Sequence, residues 1–173
     1  VIAASPPAAI GSQVNVSEYR EAFAGHRQVR DGHVDPVSHQ LVVSFVYPIF
    51  ANADVHQVIG VVEVNCRLDV MYGRVLPELQ QLHLFQQHQR IFLLRQDGLV
   101  LMAPGGDQKQ VGRMSEQQLT PAHLLGASLE QHRIYREAGG LESLVGASRS
   151  TGFKDFKGLG WSAVVLQDLH YAY

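Results

Sequence analysis

The chain alternates between short runs rich in Val and Phe and one long segment with helical spacing. Residues 40–47 suit a strand that Pro48 ends, and residues 58–66 suit a second strand. Asn52-Ala53-Asp54 lies between them as a turn, so the pair predicts an antiparallel hairpin. Upstream, the apolar residues 1–4 read as the end of a strand closed by Ser5-Pro6-Pro7, because two prolines stop both ladder pairing and helix continuation. A short helix is predicted over 18–24, capped by Asn15 or Ser17 and stopped at Gly25. Asp31-Gly32 and Asp35-Pro36 read as turns.

The period changes at about residue 67. Leu68, Met71, Tyr72, Val75, Leu79 and Leu82 recur at helical spacing and predict an amphipathic helix over 67–88, kinked or divided at Pro77. Residues 91–94 and 99–103 flank Gln96-Asp97-Gly98, a strong hairpin signal. Residues 104–118 are polar and Gly-rich and read as a loop, and Pro121 opens a short predicted helix over 121–129. Three strands follow, around 133–137, 143–150 and 161–167. Helix, hairpin, irregular region and three antiparallel strands is the order of a PAS-like α+β unit with a five-stranded sheet. The first half shows the later part of the same plan. The predicted fold class is α+β, two PAS-like repeats with antiparallel sheets, spanning 1–78 and 79–173. The first is expected to be truncated, its opening helix and first strand lying upstream of Val1.

Composition narrows the function classes. Of 173 residues, 46% are hydrophobic and 17% charged, which argues for an ordered globule. The formal net charge is -2, from 14 basic and 16 acidic side chains, and neither sign forms a run, so nucleic-acid or anionic-membrane binding has no electrostatic support. Cys66 is the one cysteine, which excludes an internal disulfide and a cysteine-based metal site. No signal peptide or membrane span is visible. The abrupt apolar start, without a capping or initiation signal, reads as a fragment of a longer protein.

The candidate chemistry is sparse. Nine histidines include no His-x-His and no His-Glu-x-x-His, and His83 and His88 do not share a helical face. His26, His33 and His39 fall in a predicted loop with Asp31 and Asp35, a combination more often solvated than metal-bound. Gly105-Gly106-Asp107 lacks the rest of a cyclase signature, Ser148 lies outside a Gly-x-Ser-x-Gly elbow, and no phosphate loop is present. No enzyme activity, metal or cofactor is therefore expected. On residues 58–66, alternation puts Val61, Glu63 and Asn65 on one face and Val62, Val64 and Cys66 on the other. The second face reads as core and the first as a pocket wall. Val43, Phe45 and Tyr47 share a side of the facing strand. A pocket lined by Tyr19, Tyr47, Glu63 and Asn65 is expected, against the plainer reading of a solvated sheet face.

Several segments, taken in order, resemble the double CACHE sensor family. Ala4-Ser5-Pro6, Ile10-Gly11, Glu18-Tyr19, Tyr47-Pro48-Ile49-Phe50 and Ile59-Gly60-Val61-Val62 match the distal repeat of that family. Asp97-Gly98, Leu101-Met102-Ala103-Pro104 and Gly160-Trp161-Ser162 match its proximal repeat. The resemblance implies the extracytoplasmic, periplasmic input domain of a membrane-anchored bacterial receptor: a chemoreceptor, sensor histidine kinase or diguanylate cyclase. It implies a small-molecule ligand in the distal repeat and an exit towards the output domain starting at residues 166–173. It also implies where an amino-acid ligand would be held, by an Arg in the distal helix and an Asp ending the last distal strand. Ser17 and Asn65 stand at those positions here, which disfavours an α-amino acid, and Arg20 is the nearest replacement cation. The expected partner is then an organic acid, an amine or another metabolite, with homodimerisation possible. A PAS-type dimerisation domain without ligand is the alternative.

Overall fold

The computed structural model describes residues 16–52, 54–82, 88–104, 109–115, 133–136, 140–152 and 156–171. It divides into two compact units, one ending at Leu68 and the other beginning at Asp69. The boundary expected from the sequence, between 78 and 79, falls inside a helix.

In the first unit a 3-10 turn, Val16–Tyr19, leads into helix α1, Arg20–Phe23. The helix is short because Gly25, at φ +90°, closes it: the His26 amide donates to the Glu21 carbonyl and the Gly25 amide to the Ala22 carbonyl, both at 3.0 Å. Three antiparallel strands follow in sequence order, β1 Gln28–Val34, β2 Leu41–Ala51 and β3 Asp54–Arg67. The predicted hairpin is β2–β3, with Val46 opposite Glu63 and Ser44 opposite Asn65.

Two expectations fail here for identifiable reasons. Asp31-Gly32 is no turn: it sits within β1 as a bulge, where the pairing passes from Arg30 opposite Ser44 to His33 opposite Val42. Pro48 does not end its strand either. β1 starts at Gln28, opposite Val46, so Pro48 pairs only with β3, and no β1 partner needs its missing N–H.

The face expected to be core is buried only at its Val43–Cys66 end, and α1 lies on the other face. Tyr19, Ala22 and Val46 form a buried cluster with Val61 packed against it, so α1 covers the Val61–Glu63–Asn65 side. Val62 and Val64, read as core, are 45% and 51% exposed. Both faces of β3 carry valines, so alternation alone cannot say which of them a neighbouring helix will cover.

The second unit contains most of helix α2, Leu68–Gln81, which includes Pro77. The predicted extension to 88 runs through 83–87, outside the described residues. Its sheet comprises β4 Gln89–Leu94, β5 Val100–Met102, β6 Arg133–Arg136, β7 Glu142–Arg149 and β8 Ser162–Asp168, in the spatial order β5-β4-β8-β7-β6. The first and last strands of the unit pair at its centre, as in PAS-like domains. Phe92 opposite Val164, and Leu94 opposite Ser162, set one buried face, which Val100, Ala103, Tyr135 and Leu166 complete. Trp161 is only half-buried, just before β8; its carbonyl accepts the Ser150 amide at 2.7 Å.

The β4–β5 hairpin forms as predicted. Gly98, at φ +93°, turns the chain, Arg95 pairs with Asp97 at 2.5 Å, and the Leu99 amide donates to Asp97 Oδ1 at 3.2 Å. The loop read over 104–118 is partly structured, since Leu99 bridges Met114 and the Val100 amide donates to the Arg113 carbonyl. The helix expected over 121–129 lies outside the described residues. After β8 comes a single 3-10 turn, Leu169–Tyr171, whose Tyr171 ring stacks on His88 with centroids 3.6 Å apart.

Candidate functional site

The candidate site lies on the α1-covered face of the first sheet. Pairing places Gln28 and Arg30 of β1, Ser44 and Val46 of β2, and Val61, Glu63 and Asn65 of β3 on this side. The 3-10 turn and α1 bring Glu18 and Tyr19 over it.

Tyr19, Arg30 and Glu63 form one connected group. The Tyr19 hydroxyl donates to Glu63 Oε2 at 2.6 Å. Arg30 Nη1 donates to Glu63 Oε1 at 3.0 Å and to the Tyr19 hydroxyl oxygen at 3.2 Å. Arg30 Nη2 donates to Glu18 Oε2 at 2.5 Å, and the guanidinium lies 5.2 Å from the centre of the Tyr19 ring. The Arg30 and Glu63 side chains are 17% and 20% exposed, whereas Glu18 is 46% exposed. Burial, then the hydrogen bond to Glu63, pushes the Tyr19 hydroxyl up to about 12, so it stays a neutral donor at any physiological pH.

A second polar group occupies the same face. The Ser44 hydroxyl donates to Asn65 Oδ1 at 2.5 Å and lies 3.4 Å from His33 Nε2. Asn65 Nδ2 donates to Asp35 Oδ1 at 3.5 Å. Burial raises the Asp35 carboxyl, but hydrogen bonds from the Ser38 hydroxyl and amide outweigh it and hold the group below the usual carboxylate value.

Of the expected site residues, the structure brings Tyr19 and Glu63 into contact and places Asn65 on their face, bonded to Ser44 and Asp35. Two expectations need correction. Tyr47 pairs with Val62 and therefore projects from the opposite face, 40% exposed beneath the Arg27 guanidinium. Arg20 is exposed on α1, and Arg30 is the cation that meets Tyr19 and Glu63. Sequence reasoning missed Arg30 because Asp31-Gly32 was read as a turn. Taken as a strand paired with β2, residues 28–34 would have set Arg30 across from Ser44 on the α1-covered side. His33, read as part of a loop, instead points at Ser44. Among the described residues no three His, Cys, Asp or Glu side chains gather as a metal site, and no helix is long and apolar enough to cross a membrane.

The fold is that of CACHE-type sensor domains. The chain is similar in structure to the ligand-binding domain of the Pseudomonas aeruginosa PAO1 amino-acid chemoreceptor PctB, solved in complex with L-Arg. That match has 20% identity and a TM-score of 0.55, over 90% of this chain and 62% of that one. It is also similar to the sensor domain of the V. cholerae histidine kinase DctB, at 13% identity and TM-score 0.54, over 85% and 57%. The ligand-binding domain of the Pseudomonas fluorescens chemoreceptor CtaA, in complex with L-serine, matches at 14% identity and TM-score 0.51, over 83% and 55%. The chain thus spans 55% to 62% of the length of these three structures. No family model and no curated protein matches the chain.

Proposed function

We propose that the chain is the small-molecule-sensing part of an extracytoplasmic, membrane-anchored bacterial receptor, and that it is not an enzyme. The observation that carries this reading is the Tyr19–Arg30–Glu63 group on the α1-covered face of the first sheet. A sheet face destined only for packing would be apolar there; this one carries a part-buried ion pair with a neutral phenol beside it. The solved neighbours that share the fold are ligand-binding and sensor domains, which supports the same role. Sensing requires that the ligand bind one arrangement of the domain more tightly than another; equal affinity for both moves nothing.

The ligand is an organic acid, an amine or another small metabolite. The PctB and CtaA structures hold L-Arg and L-serine, but an α-amino acid is disfavoured in this chain by Ser17 and Asn65, which stand where the resemblance calls for an Arg and an Asp. A thermal-melt screen of the chain against carboxylates, amines, amino acids, purines and divalent metals tests the reading. A ligand at about 100 times its Kd adds roughly 2.7 kcal/mol, and on the order of 5–10 °C in Tm for a domain of this size. No shift with any compound would remove the sensing reading.

One observation favours the alternative, a ligand-free dimerisation domain. Tyr47, Val62 and Val64 leave an exposed apolar strip on the face of the first sheet opposite α1. Light scattering of the chain beside a Val64→Glu variant decides it: a dimer that the charge breaks supports the alternative, and a monomer in both cases removes it.

A further inference from the structure

Resting on that sensing role, we propose that Glu18 is an internal stand-in for a ligand carboxylate, so that a carboxylate ligand enters by replacing it on the Arg30 guanidinium. The two acids on Arg30 are held very differently. Glu63 belongs to β3, is 20% exposed, and its second oxygen accepts from Tyr19. Glu18 sits on a four-residue 3-10 turn, outside any strand pairing, and is 46% exposed. An exposed ion pair of this kind shifts an equilibrium by about fivefold at most. Glu18 is therefore the partner that yields first.

The geometry behind it is prepared. Nη1 of Arg30 is committed to Glu63 and Tyr19, which fixes the plane of the guanidinium and turns the Nη2 edge towards Glu18. A planar guanidinium grips a carboxylate through such an edge. Replacing one carboxylate by another keeps Arg30 paired, and the displaced Glu18, already 46% exposed, is left to water. An amine meets stronger competition, because it would have to displace donors from Glu63. Both oxygens of that carboxylate already accept hydrogen bonds, from Tyr19 and from the part-buried Arg30. The exchange frees only the Glu18 side chain: its carbonyl still accepts from Gln28 Nε2 at 2.8 Å, and Tyr19 stays bonded to Glu63.

The test is calorimetric titration of the whole chain with acetate, succinate and benzoate, and with ethanolamine as the amine, for the natural sequence, Glu18→Gln and Arg30→Lys. Lysine keeps the charge beside Glu63, so that variant guards against a simple failure to fold. Removing the internal competitor should tighten carboxylate binding on the order of two- to fivefold. Losing the fork should weaken it about tenfold or more. Carboxylate affinity that is unchanged or weaker in Glu18→Gln overturns the proposal, as does a preference for ethanolamine. Binding of some probe that neither variant alters leaves the sensing role standing without this mechanism. Silence of all four probes in every protein, with a silent melt screen, removes both.

Discussion

Tyr19 ties the candidate site together, and its hydroxyl gives the site a pH signature. Its raised value, about 12 against 10 for a free tyrosine, favours the neutral form in the folded protein. The stability it lends is complete below pH 10 and disappears as pH rises towards 12. A tyrosinate absorbance titration should lose a late-ionising component in Tyr19→Phe; a late step of unchanged size in that variant would assign it elsewhere. Glu63→Ala removes the acceptor shared by Tyr19 and Arg30 and should cost about 1–3 kcal/mol in denaturant unfolding. Asp97 behaves oppositely. The Arg95 hydrogen bond, working against a smaller effect of burial, holds its carboxyl down at about 2, so its contribution is present above pH 3.8 and lost as pH falls towards 2. Asp97→Asn should flatten the acid limb of the stability profile.

At the level of elements, the second sheet could be read from the sequence more fully than the first. β4, β7 and β8 fell close to their expected positions, and Asp97-Gly98 named its hairpin, because tight turns leave a local chemical signature. Leu166→Ala in the buried face of β8 should cost about 2–5 kcal/mol, visible as a lower unfolding midpoint. Gly152→Ala should be comparably severe, since its backbone sits at φ +96° and an added Cβ would lie 2.1 Å from the Phe156 carbonyl oxygen. In the first sheet the composition of β2 and β3 revealed strands but not sides. Glu63 was found because it interrupts the valine run of β3, and Tyr19 because Glu18-Tyr19 matches the family resemblance. Arg30 was hidden because its strand holds an Asp-Gly pair, whose local preference for a turn is overridden by pairing with β2. Tyr47 was misassigned because two adjacent strands each alternate, and only the register, Tyr47 opposite Val62, decides which residues share a face.

For the molecule as a whole, the two sheets differ in what they bury. The five-stranded sheet of the second unit buries a mainly apolar face, interrupted by Ser143 and Ser162, whereas the first sheet carries its ion pair and polar groups under α1. Amide exchange with and without a bound ligand tests whether sensing follows that division. Slowed exchange concentrated in β1 to β3 and the 3-10 turn is expected; slowing confined to β4 to β8 would move the site to the other sheet. The order of motifs along the chain carried the recognition of the fold, since each motif is short and the identity to the solved structures is only 13% to 20%.

The bulge at Asp31-Gly32 has a consequence for chain length. Between Arg30 and His33 the strand spends three steps where its partner, from Ser44 to Val42, spends two. One residue is surplus to the ladder, and that surplus keeps Arg30 and His33 on the same side despite their odd separation. Deleting Gly32 would therefore restore an even count and leave both side chains facing the site. Deleting Val29, a few residues away, would turn Gln28 to the far side. The spacing between these two polar residues is thus a free variable of the fold, and related sequences can differ there by one residue without changing which groups meet.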